Sequence, residues 1–157
     1  MATNEHLHHM MSQIGQQLDL GEVTEFEDEN LWILAFAEDF LVEATYVEDD
    51  GRLVLAASIG IPAEGREAEI YKLLLQYNYL WEETGGARTA LDASEGEAYL
   101  MLDVPVANLE LPEFQACLEN FKEIVPCWRA ILSRSPDSAD GMEGLSELGM
   151  PNTAIRV

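Results

Sequence analysis

Side chains able to do chemistry are few in this 157-residue chain, and their spacing does not suit it. All three histidines, His6, His8 and His9, fall within the first nine residues. His6 and His9 stand one helical turn apart, a spacing that either holds a metal or simply marks an exposed helix start. With no histidine elsewhere, a Ser/His or Cys/His pair would have to be built from that single turn, which argues against nucleophilic catalysis. Cys117 and Cys127 are ten residues apart. On one helix that spacing is ~15 Å of rise, too far for a disulfide, so two buried thiols in a reducing compartment are expected. No CxxC, Walker, G-x-G-x-x-G, G-x-S-x-G or H-E-x-x-H pattern occurs, and no metal or other cofactor is implied. Paired carboxylates are the one catalytic class that thirty acids always leave open. Asp92, Glu95, Glu97 and Asp103 gather around the last hairpin, either as an acid–base site or as a solvated turn. Asp49-Asp50-Gly51 reads as turn chemistry and not as a calcium loop.

The charge is more telling than any motif. Thirty acidic residues against eight basic ones give −22, spread along the chain instead of gathered in one arm. Such a surface repels nucleic acid and anionic lipid and attracts basic partners. Apolar residues at 48% suffice for a core in one domain. No apolar run approaches the ~20 residues that span a bilayer, and the first residues lack the basic and apolar regions of a signal peptide. A soluble cytoplasmic protein is expected.

The elements follow from periodicity. Residues 4–18 read as a helix with Leu7, Met10, Met11, Ile14 and Leu18 on one stripe and Asn4 as its cap. Residues 19–30 read as an acidic loop with room for a short strand at Val23–Phe26. Leu31–Ala37 is apolar almost throughout, as in a central strand. Phe40–Glu48 alternates, and Asp49-Asp50-Gly51 turns it into Arg52–Gly60, making an antiparallel meander. A second helix spans 64–84 and ends at Gly85-Gly86. Strands at Arg88–Ala93 and Ala98–Val106 follow, then a helix from Leu111 to about Arg134, interrupted at Pro126. The order α-β-β-β-α-β-β-α predicts an α+β domain over 1–134, one antiparallel twisted sheet packed with helices. Residues 135–157, rich in Ser, Gly, Pro and acid, read as a flexible tail.

Two apolar surfaces ask for a partner. The second helix carries more apolar area than one sheet face needs, with Leu75 and Tyr79 beyond its main stripe. Leu7, Met10, Met11 and Ile14 give the first helix an adaptable face. Each of these surfaces has ordinary packing within its own domain as the simpler alternative.

Residues 73–92, LLLQYNYLWEETGGARTALD, carry a resemblance. A helix ending in Asn78, Leu80 and Trp81, a turn of Thr84, Gly85, Gly86 and Ala87, and a strand ending Leu91-Asp92 resemble the type III secretion chaperones of the CesT-like (class I) family. The hairpin with Leu100 and Leu102 and the last helix with Phe114, Leu118, Phe121 and Trp128 are also similar, so the resemblance covers about residues 4–133. It implies a homodimer joined near the second helix, by position Ile70, Leu74, Tyr77, Asn78 and Trp81. It implies ATP-independent binding of the N-terminal chaperone-binding segment of a secreted effector in the bacterial cytoplasm, keeping the effector soluble and secretion-competent. By position that segment would meet Leu7, Met10, Met11 and Ile14, together with Trp32, Leu34 and Phe36. The remaining alternatives are a protein-binding or regulatory module without a secretion role, and the carboxylate hydrolase.

Overall fold

The computed structural model describes residues 2–93 and 96–135. Its order is α1 (Ala2–Gln17), β1 (Glu22–Phe26), β2 (Leu31–Ala37), β3 (Phe40–Val47), β4 (Arg52–Gly60), α2 (Glu67–Tyr79), β5 (Arg88–Leu91), β6 (Ala98–Pro105) and α3 (Leu111–Ser133). Among the described residues the architecture is α+β: three α-helices and one sheet ordered β1-β2-β3-β4-β6-β5. The short strand at 22–26 forms, so the sheet has six strands, with β1 and β5 at its ends. The expected tail lies outside the described residues from 136 onward, as do Ser94 and Glu95 of the last hairpin. Two contact units make up the chain, Met1–Ala57 with Leu102–Lys122, and Ser58–Met101 with the chain from Glu123.

In the first unit, strict alternation decides the layers. Antiparallel register aligns Leu34 with Val42 and Trp32 with Ala44, then Ala44 with Leu55 and Tyr46 with Leu53. All of these are buried, as are Leu7, Met10, Met11 and Ile14 of α1 and Phe114, Leu118 and Phe121 of α3. Helix α1 lies on β1. Gly15 permits that approach, because a Cβ there would stand 3.1 Å from Val23 Cγ2. Helix α1 begins at Ala2, so Asn4 lies inside its first turn and is not its cap. The turn after β3 is a single 3-10 turn closed by Gly51 at φ +60°, a conformation that glycine adopts without strain.

In the second unit α2 packs on β5. The helix is shorter than its periodicity suggested. It starts after Gly65 (φ +84°) and Arg66, and stops at Tyr79. Residues 80–87 continue as overlapping turns, among them Thr84 N–H to Leu80 and Gly86 N–H to Trp81, before Gly85 and Gly86 lead into β5. Arg66 is buried and donates to the carbonyls of Ile131 (2.8 Å) and Arg134 (3.0 Å), tying the end of α3 to the start of α2. It also pairs with Glu69 at 3.0 Å. Those hydrogen bonds hold the Glu69 carboxyl below its ordinary pKa. The stability they supply is therefore lost as pH falls through that lowered value.

Helix α3 runs unbroken through Pro126. Pro126 and Lys122, whose carbonyl the missing N–H would have met, are both exposed, so the proline interrupts the hydrogen-bond ladder on the solvent side of the helix. Trp128 is fully buried and meets Tyr77 edge-on at 5.3 Å. Burial pushes the Tyr77 phenol up to about 12. The folded state thus keeps a proton that the unfolded chain releases near pH 10. This contribution is complete below pH 10 and disappears as pH rises toward 12. Tyr77→Phe should remove up to about 3 kcal/mol of the alkaline loss. Urea midpoints of both proteins between pH 8 and 11.5 check this, and parallel pH dependences would refute it.

Candidate partner-binding surfaces

The residues able to do chemistry are occupied structurally. His6 Nε2 donates to the Leu109 carbonyl at 2.8 Å, and His8 Nδ1 lies 2.7 Å from a Glu25 carboxylate oxygen with its ring edge on Trp32. Neither cysteine is in a disulfide, both are half-buried, and the Cys127 thiol donates to the Glu123 carbonyl at 3.4 Å. Burial, with Glu113 adding to it, raises the Cys117 thiol and disfavours a thiolate nucleophile. Asp103 is paired with Arg52 at 2.7 Å, while Glu97 accepts hydrogen bonds from Ser58 and, at 3.1 Å, from Tyr99. Among the described residues no three His, Cys, Asp or Glu side chains converge as a cation cage.

What remains open is apolar. The second face of the sheet in the first unit is built of three cross-strand rows fixed by register: Phe26–Leu31–Thr45–Val54, Thr24–Ile33–Glu43–Ala56, and Glu22–Ala35–Leu41. Each residue is partly or fully exposed, Phe26 and Leu41 at 45% each. Strand β1 borders this face. Glu22, Glu27, Asp28 and Glu29 stand exposed along and just beyond it. The surface is apolar at Leu31, Ile33 and Leu41, with Glu43 among them and an acidic rim along β1.

The anticipated effector-contact residues sit largely behind that face. Leu7, Met10, Met11, Ile14, Trp32 and Leu34 are buried in the free chain, and only Phe36 is half-exposed, stacked on Phe40 at 4.9 Å. Sequence reasoning passed over Leu31, Ile33 and Leu41. Their signal was the second, opposite period-two series in an all-apolar strand, which alternation alone does not assign to a side.

The second unit carries another apolar surface. On α2, Leu75 (70% exposed), Tyr79 (75%) and, beyond its end, Trp81 (62%) project with Leu91 of β5. Between α2 and β5 runs a groove of about 320 Å³ lined by Tyr71, Leu74, Leu75, Asn78, Thr89 and Leu91. Of the residues anticipated for a dimer contact, Trp81 is exposed. Asn78 is half-buried and bonded to Thr89, whereas Ile70, Leu74 and Tyr77 face the unit's own core.

A family profile, the Tir chaperone protein (CesT) family, matches residues 9–129. The chain belongs to the CesT family. Structural comparison shows the same fold in a chain of the ExsC-ExsE complex, at 21% identity and TM-score 0.69, covering 82% of this chain and 95% of that one. The HopA1-SchA chaperone-effector complex holds a similar chain at 15% identity and TM-score 0.66, covering 83% and 98%. A third likeness comes from the Yersinia pestis type III secretion chaperone SycH in complex with a stable fragment of YscM2, at 17% identity and TM-score 0.57, covering 80% and 98%. Among curated proteins none matches at the level of sequence. The family-like residues 78–92 form the turns and hydrogen bonds that join α2 to β5. No described helix is long and apolar enough to cross a membrane.

Proposed function

We propose that this CesT-family chain is a homodimeric, ATP-independent chaperone, not an enzyme, that binds the N-terminal segment of a type III secreted effector and keeps it soluble and secretion-competent. The observation that carries this reading is the half-exposed apolar face of β1–β3 with its acidic border. An extended segment satisfies its backbone along a sheet edge and places alternate side chains on such a face. The net charge of −22 keeps a chain with open apolar patches in solution and speeds capture of a basic segment. The similar folds in complexes described as chaperone and effector support it. Leu31, Ile33, Ala35 and Leu41 are the proposed contacts, with Phe36 beside them at the end of β2. Leu7, Met10, Met11, Ile14, Trp32 and Leu34 would take part only if α1 lifted from the sheet.

The proposed dimer contact is the outward side of α2, Leu75, Tyr79 and Trp81 with Leu91, beside Asn78 and above Ile70, Leu74 and Tyr77. Large exposed aromatic side chains of this kind are typical interface anchors. Co-expression with the product of the adjacent reading frame, followed by light scattering, tests both parts. A dimer and a stable complex are expected. A strict monomer refutes the first part, and no complex with any neighbouring product refutes the second. Tyr79→Lys with Trp81→Lys should give a folded monomer, with at least about a hundredfold weaker self-association.

A further inference from the structure

Strand β5 is an end strand, yet at Thr89, one of its two outward-turned residues, the outward backbone is already taken. In an antiparallel pair, alternate residues turn both N–H and C=O toward the partner strand, and the intervening ones turn both away. Thr89 is one of the latter. Its N–H donates to Asn78 Oδ1 at 2.7 Å, and its C=O accepts from Asn78 Nδ2 at 3.0 Å. One side-chain amide thereby makes both hydrogen bonds that a residue of an added strand would make. Helical spacing brings it there. Asn78 and Leu74 are one turn apart on α2, and the Leu74 carbonyl accepts from the Thr89 hydroxyl at 2.9 Å. Two residues earlier the pattern repeats: Ala87 N–H donates to the Thr84 carbonyl at 3.3 Å, and Thr84 Oγ donates to the Ala87 carbonyl at 3.0 Å. At the other end of the sheet, among the described residues, no side chain is bonded to the β1 backbone.

We propose that Asn78 is a one-residue substitute strand, which seals the β5 end of the sheet against strand addition by a second copy or a bound peptide. A partner that pairs backbone with this sheet is thereby directed to β1, and a partner meeting α2 and β5 does so through side chains. Native proteins protect end strands by charges, prolines or covering segments, and an asparagine amide on a packed helix does the same work here. This inference stands whether or not the chaperone reading holds.

Amide exchange by NMR on the full chain tests it. In Asn78→Ala the Thr89 amide should exchange at least about tenfold faster than in the wild type, while amides of β2 and β3 keep their rates. Asn78→Asp keeps the acceptor for that amide, so its rate should stay within about twofold. Asn78→Ala should also form concentration-dependent larger species in light scattering, and Leu91→Pro on the same background should reverse this. Where the alanine variant does not fold, Asn78→Ser, too short to span both groups, replaces it. An unchanged Thr89 amide in that variant, equal acceleration in the aspartate variant, or no added association would each overturn the proposal.

Discussion

Leu7→Asp, and separately Met11→Asp, should unfold the first unit instead of producing a folded protein that no longer binds its partner. Both side chains are buried, 0% and 2% exposed, in the layer that α1 presents to the sheet. Full burial of a leucine or methionine stabilises by roughly 1.5–3 kcal/mol, and an aspartate there adds the desolvation of an unpaired charge. Together these exceed about 4 kcal/mol, a large part of the 5–15 kcal/mol that holds a domain of this size. His6 and His8 on α1 are already bonded to Leu109 and Glu25 and do not rescue the charge. Urea unfolding and near-ultraviolet circular dichroism measure this outcome. A variant with wild-type stability and no partner binding would show instead that α1 leaves the sheet when the partner arrives.

The opposite result is expected on the other side of the same sheet. Ile33→Asp combined with Leu41→Asp should change stability by no more than about 1 kcal/mol, because both positions are already partly hydrated. Binding of the effector segment should fall by at least about a hundredfold, as two apolar contacts become charges and the acidic border gains two more. Calorimetric titration of the segment into wild type and variant decides it. Unchanged affinity with an intact fold would remove the outer face from the binding site. The two substitutions therefore separate a core role from a surface role on adjacent layers.

Much of this molecule was legible from residue order. The meander of β2–β4, the Asp-Gly turn and the last hairpin all follow from alternation and turn residues. Strand β1 was readable only as an option, since five residues with two glutamates make a weak pattern. The extent of α2 was overestimated because residues 80–84 keep a helix-like composition. Their backbone leaves the helix after Tyr79 and closes as turns.

Local periodicity and turn chemistry act over a few residues, so the class of elements, their order, the acidic surface and the family-like stretch through Asp92 are written in residue order. Which apolar surface is covered is not, because it depends on long-range packing. Leu31 and Ile33 are as apolar as Trp32 and Leu34, and Leu75 and Tyr79 as apolar as Leu74 and Tyr77. A period states that two sides of an element differ, or in β2 that neither is polar. Which side a helix then covers depends on residues far along the chain, as α1 shows where His6 bonds the Leu109 carbonyl, 103 residues on. The pairing of Asn78 with Thr89 is of the same kind, because eleven residues and a turn separate the amide from the strand it seals.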